Sequence, residues 1–108
     1  MMVGLFYQGK TTPVSAKIKN IGRGGFFVEI PGELPVLRQE LEFRIETTIQ
    51  GIAEITGTGL VRWARERGED SSAPGCGIEF LHLDESCLKK VVELINFLKT
   101  KSFIPRND

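Results

Sequence analysis

Two clusters of residues in this 108-residue chain have types and spacings suited to chemistry. The first is Asn20-Ile21-Gly22-Arg23-Gly24-Gly25, with Lys17 and Lys19 just ahead of it. A glycine-rich turn can present main-chain N–H groups to an anion. Asn20 adds a side chain that both donates and accepts, and Arg23 adds a guanidinium. The second cluster is Arg62-Trp63-Ala64-Arg65-Glu66-Arg67, which interleaves cations with the only tryptophan. The first cluster suits the binding of a small anion better than catalysis; in the second, Glu66 and the nearby Glu69 would oppose a phosphate, and the stretch reads as a salt-bridged exposed strand. No nucleophile, base and orienting group recur in a pattern that defines a triad or an acid–base pair.

The remaining reactive residues are few. Cys76 and Cys87 form no CxxC pair, and His82 is the single histidine. A zinc site needs about four ligands, and these three cannot supply them. The cysteines read as small buried thiols, and a disulfide is not expected in a cytoplasmic chain. His82 reads as a strand surface residue.

Lys plus Arg and Asp plus Glu each number 14, so the formal net charge is zero. Proteins that neutralise many phosphates usually carry a basic surface. A nucleic-acid polymer is therefore not the expected partner. No apolar run is long enough to span a bilayer. The first ten residues are too short and too weakly apolar for a signal peptide. A cytoplasmic single domain over 1–108 is expected, or a soluble module of a larger chain, with its core over about 14–98.

The elements that must position these residues are mostly strands. VSAKIK (Val14 to Lys19) alternates, and FFVEI (Phe26 to Ile30) follows the glycine-rich turn. Pro31, Gly32 and Pro35 mark a loop. LEFRIETTI (Leu41 to Ile49) alternates again, and Gln50-Gly51 reads as a hairpin turn. The stretch Ile52 to Arg67 is long for a strand. Its Gly57 and Gly59 mark a bend or bulge of the sort a small barrel needs at a corner. Gly68 to Pro74 is a polar loop, and CGIEFLHL (Cys76 to Leu83) is a further strand. Asp84 then N-caps a helix whose apolar positions are Leu88, Val91, Val92, Ile95 and Leu98, widened by Leu94 and Phe97. Lys89, Lys90, Lys99 and Lys101 belong on its wet side. Closely spaced strands with glycine-rich turns argue for a mainly β barrel or sandwich, with the terminal helix covering one part of it.

Strict alternation along Leu60 to Arg67 puts Arg65 and Arg67 on one face and Arg62 on the other. The three then share no pocket unless a bulge intervenes. Trp63 is expected in the core. Asn20 suits two roles equally: capping its own turn, or hydrogen-bonding a ligand. Arg23 reads as an exposed turn residue.

Two segments carry a family resemblance. Asn20 to Gly25 fills a pattern of Asp or Asn, any residue, Ser, two further positions and Gly, followed by an apolar strand. Gly59 to Phe80 supplies a bent strand with an aromatic near its end, a variable loop, and a GxGIxF-like strand at Gly75, Gly77, Ile78 and Phe80, ahead of a capped helix. Together they resemble the PilZ family over roughly Val14 to Leu98. The resemblance implies a six-stranded barrel with a C-terminal helix, no enzymatic activity, and cyclic di-GMP as a possible ligand. If that nucleotide binds, the residues implied to meet it are Lys19, Asn20, Gly22, Arg23, Gly24, Gly25, Arg62, Trp63 and Gly77. No cofactor is implied.

The chain departs from the pattern twice. Family members that bind cyclic di-GMP usually carry RxxxR just before the first strand, whereas the first arginine here is Arg23. The motif is either missing from the protein or lies upstream of Met1. The usual Ser is Gly22. Each charge-assisted hydrogen bond to a buried phosphate contributes about 1.5–3 kcal/mol. Losing two such groups predicts weak or undetectable binding by this chain. Degenerate members act through protein contacts in motility, pilus or secretion pathways, which implies a bacterial protein partner. Candidate contact residues are Leu5, Phe6 and Tyr7, together with Phe103 and Ile104. The alternative is an effector whose arginine motif lies upstream or is replaced by other basic residues.

Overall fold

A computed structural model describes residues 1–7, 13–32, 34–47, 49, 51–52, 54–66 and 73–102, with side chains to residue 99. Six strands form a closed antiparallel barrel in the order β1-β2-β3-β6-β5-β4. They are β1 (Met2–Phe6), β2 (Val14–Ile21), β3 (Gly25–Glu29), β4 (Glu40–Glu46), β5 (Glu54–Arg65) and β6 (Gly75–His82). One helix follows, α1 (Glu85–Ser102).

Alternation explains the barrel wall. In β4, Leu41, Phe43 and Ile45 are buried while Glu40, Glu42, Arg44 and Glu46 are exposed. This is the period-2 pattern of a strand with one wet face. Val3 and Leu5 of β1, Ala16 and Ile18 of β2, and Phe26 and Val28 of β3 continue the inner lining. Phe26, Phe43 and Phe80 fill the middle, with ring centroids 5.2–5.7 Å apart. Edge-to-face and tilted packing of this kind adds to the burial of apolar area.

The strand β1 was not visible as a pattern: five residues at a terminus give too short an alternation to read. It closes the barrel by pairing with β2 on one side and β4 on the other. Leu5, a candidate partner-surface residue, is instead fully buried, because it is an inward position of this strand. Phe6 remains partly exposed and Tyr7 packs partly against the core. Phe103 and Ile104 lie outside the described residues.

The long strand β5 is closely approached by its neighbours where the sequence places its glycines. A Cβ on Gly57 would sit 2.6 Å from the His82 carbonyl oxygen and 2.9 Å from Phe43 Cζ. A Cβ on Gly59 would sit 2.5 Å from Ile78 Cγ2. The two glycines let β5 lie close on β6 and on the central phenylalanine. The β5–β6 ladder also carries two irregularities, one between Thr58 and Gly59 and one between Val61 and Trp63. At the first, Leu81 of β6 is the extra residue, and at the second Arg62 of β5 is.

The end of β4 falls short of the expected Ile49, because Thr47 begins a turn. Its Oγ1 accepts from the Ile49 N–H at 3.0 Å, and the Ile49 carbonyl accepts from the Ile52 N–H at 3.0 Å. Gly51 has φ +88°, a turn conformation that favours glycine.

Helix α1 starts as expected. Asp84 Oδ1 accepts from the Cys87 N–H at 2.8 Å, which satisfies one of the orphan donors of the first turn. That bond and a second from Ser86 hold the Asp84 carboxyl below its ordinary range. The buried face is Cys87, Val91, Leu94 and Ile95, with Leu98 partly covered. Leu88 and Phe97, expected in this face, are 47% and 40% exposed, because the seam that meets the barrel runs through Cys87 instead. Lys89 and Lys99 are exposed, whereas Lys90 is half-buried and donates to the Glu54 carbonyl at 3.2 Å.

Both cysteines are free and buried, and His82 is exposed at the end of β6. Among the described residues, no three His, Cys, Asp or Glu gather as a metal site. No described helix is long and apolar enough to cross a membrane.

Candidate functional site

An open cleft of about 480 Å³ lies on the outer wall where β2, β3, β6 and β5 meet. Its floor is a consequence of glycine. Phe27 of β3, Gly77 of β6 and Trp63 of β5 lie side by side in the ladder. Gly77 has no side chain, so the flanking rings meet above it. The Phe27 and Trp63 rings stack with centroids 4.9 Å apart and planes 15° apart. A Cβ on Gly77 would fall 2.6 Å from Trp63 Cε2, and one on Gly75 would fall 2.8 Å from Phe27 Cζ. The two glycines of the GxG segment therefore form a trough in which the aromatic pair is seated.

This geometry corrects the expectation for Trp63. The side chain is not in the core; it is 48% exposed and lines the cleft. The bulge is responsible. Val61 points inward, Arg62 is the extra residue, and Trp63 and Arg65 follow on the outer face. The expected separation of Arg62 from Arg65 fails for the same reason, and both line the cleft. Arg67 lies outside the described residues.

Neither arginine is idle. The Arg65 guanidinium lies 5.2 Å from the Phe27 centroid, which extends the stack to Arg65, Phe27 and Trp63. Its Nη2 donates to the Ala73 carbonyl at 3.0 Å, while its buried Nε has no partner among the described residues. Arg62 forms an ion pair with Glu79 at 3.9 Å, and Glu79 also lines the cleft. Both partners are about half exposed, so the pair is weak and can exchange for another anion.

The glycine-rich turn forms the opposite rim. The Gly22 N–H donates to the Gly25 carbonyl at 2.8 Å, and the Phe80 N–H donates to the Gly24 carbonyl at 2.9 Å. Asn20, Gly22, Gly24 and Gly25 line the cleft. The Asn20 side chain makes no hydrogen bond among the described residues, so the turn is closed by main chain alone and the amide stays available. Gly25 is required sterically, since a Cβ there would overlap the Ile78 carbonyl oxygen. Gly22 and Gly24 have open space around them and no positive φ, so the turn itself does not demand glycine at either place.

Two expected contacts lie elsewhere. Lys19 forms an ion pair with Glu29 at 3.8 Å and does not line the cleft. It occupies a β2 bulge, between the partners Ile18 and Asn20. Arg23 is exposed at the turn and also stays off the lining. Lys10 lies outside the described residues. Sequence reasoning missed Phe27, which reads as one more apolar residue of a strand, and Glu79. Their signal is positional: each lies across the ladder from residues already singled out, and only the register reveals that.

The barrel and this glycine-floored cleft define a small binding module. A model of the PilZ domain matches residues 2–97, and the chain belongs to the PilZ domain family. No curated protein matches it. The PilZ domain is a family of cyclic di-GMP-binding signalling modules, and the match extends to β1, ahead of the segments that first carried the resemblance.

Proposed function

We propose that this domain is a signalling module that meets cyclic di-GMP weakly at the cleft between the Asn20–Gly25 turn and the Trp63–Phe27 stack, and that it acts through protein contacts. The observation that carries the reading is the convergence of Asn20, the turn glycines, Arg62 and Trp63 on one cleft. The chemistry is complementary to a guanine dinucleotide. Guanine faces stack on aromatic rings, and phosphates take guanidinium and main-chain donors. The weakness follows from the same geometry. Arg62 is engaged by Glu79, and Arg65 by Phe27 and Ala73.

A second reading is favoured by the bulge at Arg62: basic residues of β5 stand in for an upstream arginine pair, and binding is strong. Calorimetry with cyclic di-GMP separates the two. Affinity weaker than low-micromolar, with amide shifts at Asn20 to Gly25 and at the Trp63 indole N–H, supports the first. Saturable low-micromolar binding supports the second. Titration without any shift at the cleft removes both.

A further inference from the structure

A second concavity, of about 620 Å³, lies on the barrel wall further along β5 and β6, and its lining differs in chemistry from the first. Phe6, Tyr7 and Leu81 supply apolar walls, Glu40 and Glu42 supply carboxylates, and Thr58 lies between them. The register explains the juxtaposition. Phe6 pairs with Glu42, Glu42 with Thr58, and Thr58 with His82, so four adjacent strands contribute. Three strand spacings span about 14 Å. Leu81 is the extra residue of the β6 bulge, which leaves it 45% exposed beside the groove.

The charge is unbalanced. Glu40 and Glu42 have no ion-pair partner among the described residues. The nearby Arg44 of β4 is committed to Glu54 at 3.5 Å. A second hollow of about 420 Å³ shares Phe6, Glu42 and Thr58, so the groove continues along β4. An exposed apolar lining rimmed by charge of one sign marks an interaction surface. Complementary charge then selects the partner.

We infer that this groove docks a basic segment of a partner protein, with an apolar side chain seated between Phe6 and Leu81 and Lys or Arg side chains reaching Glu40 and Glu42. The inference rests on the reading of the domain as one that acts through protein contacts, and it assigns that contact to a surface separate from the nucleotide cleft. Leu60, Glu79 and Phe80 lie between the two sites along the β5–β6 ribbon, where Leu60 pairs with Glu79 and Phe80 with Gly59, and Glu79 lines the nucleotide cleft.

The test uses the whole chain and a random peptide library displayed on phage, with E40R/E42R protein as the counter-selection. Enriched peptides are expected to be rich in Lys or Arg with at least one large apolar residue. Their binding to the wild-type chain is expected to weaken at least about tenfold in E40R/E42R and in L81A, and to weaken as salt rises. Both glutamates are exposed, and an unchanged thermal unfolding curve checks that the variants fold. Amide shifts should fall at Phe6, Glu42, Thr58 and Leu81. Acidic or uncharged enriched peptides, shifts confined elsewhere, or affinity indifferent to both variants overturns the groove while leaving the protein-contact reading in place. Failure to enrich any peptide overturns both. Self-association of the wild-type chain in sedimentation velocity, abolished by E40R/E42R, overturns the basic-partner assignment in favour of a second copy. The cyclic di-GMP titration reads the other cleft and is unaffected by these outcomes.

Discussion

The indole of Trp63 occupies the space that a side chain on Gly77 would need. The two residues face each other across the β5–β6 ladder, and a Cβ at 77 would lie 2.6 Å from Trp63 Cε2. Glycine within a strand ordinarily weakens it; here an aromatic from the neighbouring strand covers the bare backbone, as in aromatic rescue of strand glycines. Gly77→Ala is therefore expected to push the indole off the Phe27 ring. Overpacking of this kind costs about 1–3 kcal/mol. Because Trp63 is the only tryptophan, fluorescence reports its displacement directly, and chemical denaturation reports the cost. An unchanged emission spectrum together with unchanged stability would refute the seating.

Trp63 stands outside the barrel, which sets its energetic weight against that of an internal ring. Phe43 is 2% exposed and touches the rings of Phe26 and Phe80. Phe43→Ala is expected to cost about 3–5 kcal/mol, the range for emptying a core aromatic position. Trp63→Ala removes one exposed stacking pair, with an expected cost of about 1 kcal/mol. Urea denaturation of both variants checks the order, and equal losses would return Trp63 to a core role.

Most of the barrel was legible because alternation survives in strands with one wet face. The elements read at Val14, Phe26, Leu41, Ile52 and Cys76 all correspond to strands, with ends shifted by a few residues. The sixth strand was implied only by the family resemblance, since Met2–Phe6 is too short to show its own period. The site was legible in part. Its glycine-rich turn has a local signature, and Asn20, Gly22, Gly24 and Gly25 do line the cleft. The second half depends on a one-residue bulge. A single inserted residue reverses which side chains face out, so counting along Arg62, Trp63 and Arg65 could not place them. Phe27 and Glu79 enter through cross-strand register, which a linear sequence does not display.

The Arg62–Glu79 pair sets the sign of a charge experiment. At 3.9 Å, with both side chains about half exposed, the pair is an exchangeable surface contact. Glu79→Gln should release Arg62 and remove a carboxylate from the cleft. Cyclic di-GMP affinity is expected to rise by roughly two- to fivefold, matching the modest worth of exposed ion pairs. Arg62→Ala should lower it, and the difference should shrink at high salt. Calorimetry across a salt series measures all of this. Weaker binding in Glu79→Gln would show that the carboxylate helps the ligand instead of competing with it.

Cys76 predicts behaviour at alkaline pH. Its thiol lies inside the barrel, opposite Val28 and Ala64, and burial pushes its pKa from 9.0 up to about 11. Desolvation disfavours the thiolate, so the folded state holds its proton longer than the unfolded chain does. Between pH 9 and 11 the unfolded state binds fewer protons than the folded state, and stability must fall as pH rises. The full effect is on the order of 2 kcal/mol, present below the unfolded value and lost by the folded one. Cys76→Ala removes this thiol, so its stability should fall less steeply over that window, from a lower starting point because a core volume is emptied. At neutral pH the protonated, inaccessible thiol should resist iodoacetamide until the barrel opens. Denaturation curves at pH 8 and pH 10.5 for the two proteins give the comparison. Parallel losses would place the alkaline sensitivity in another group, and rapid alkylation of Cys76 in the native protein would contradict its enclosure.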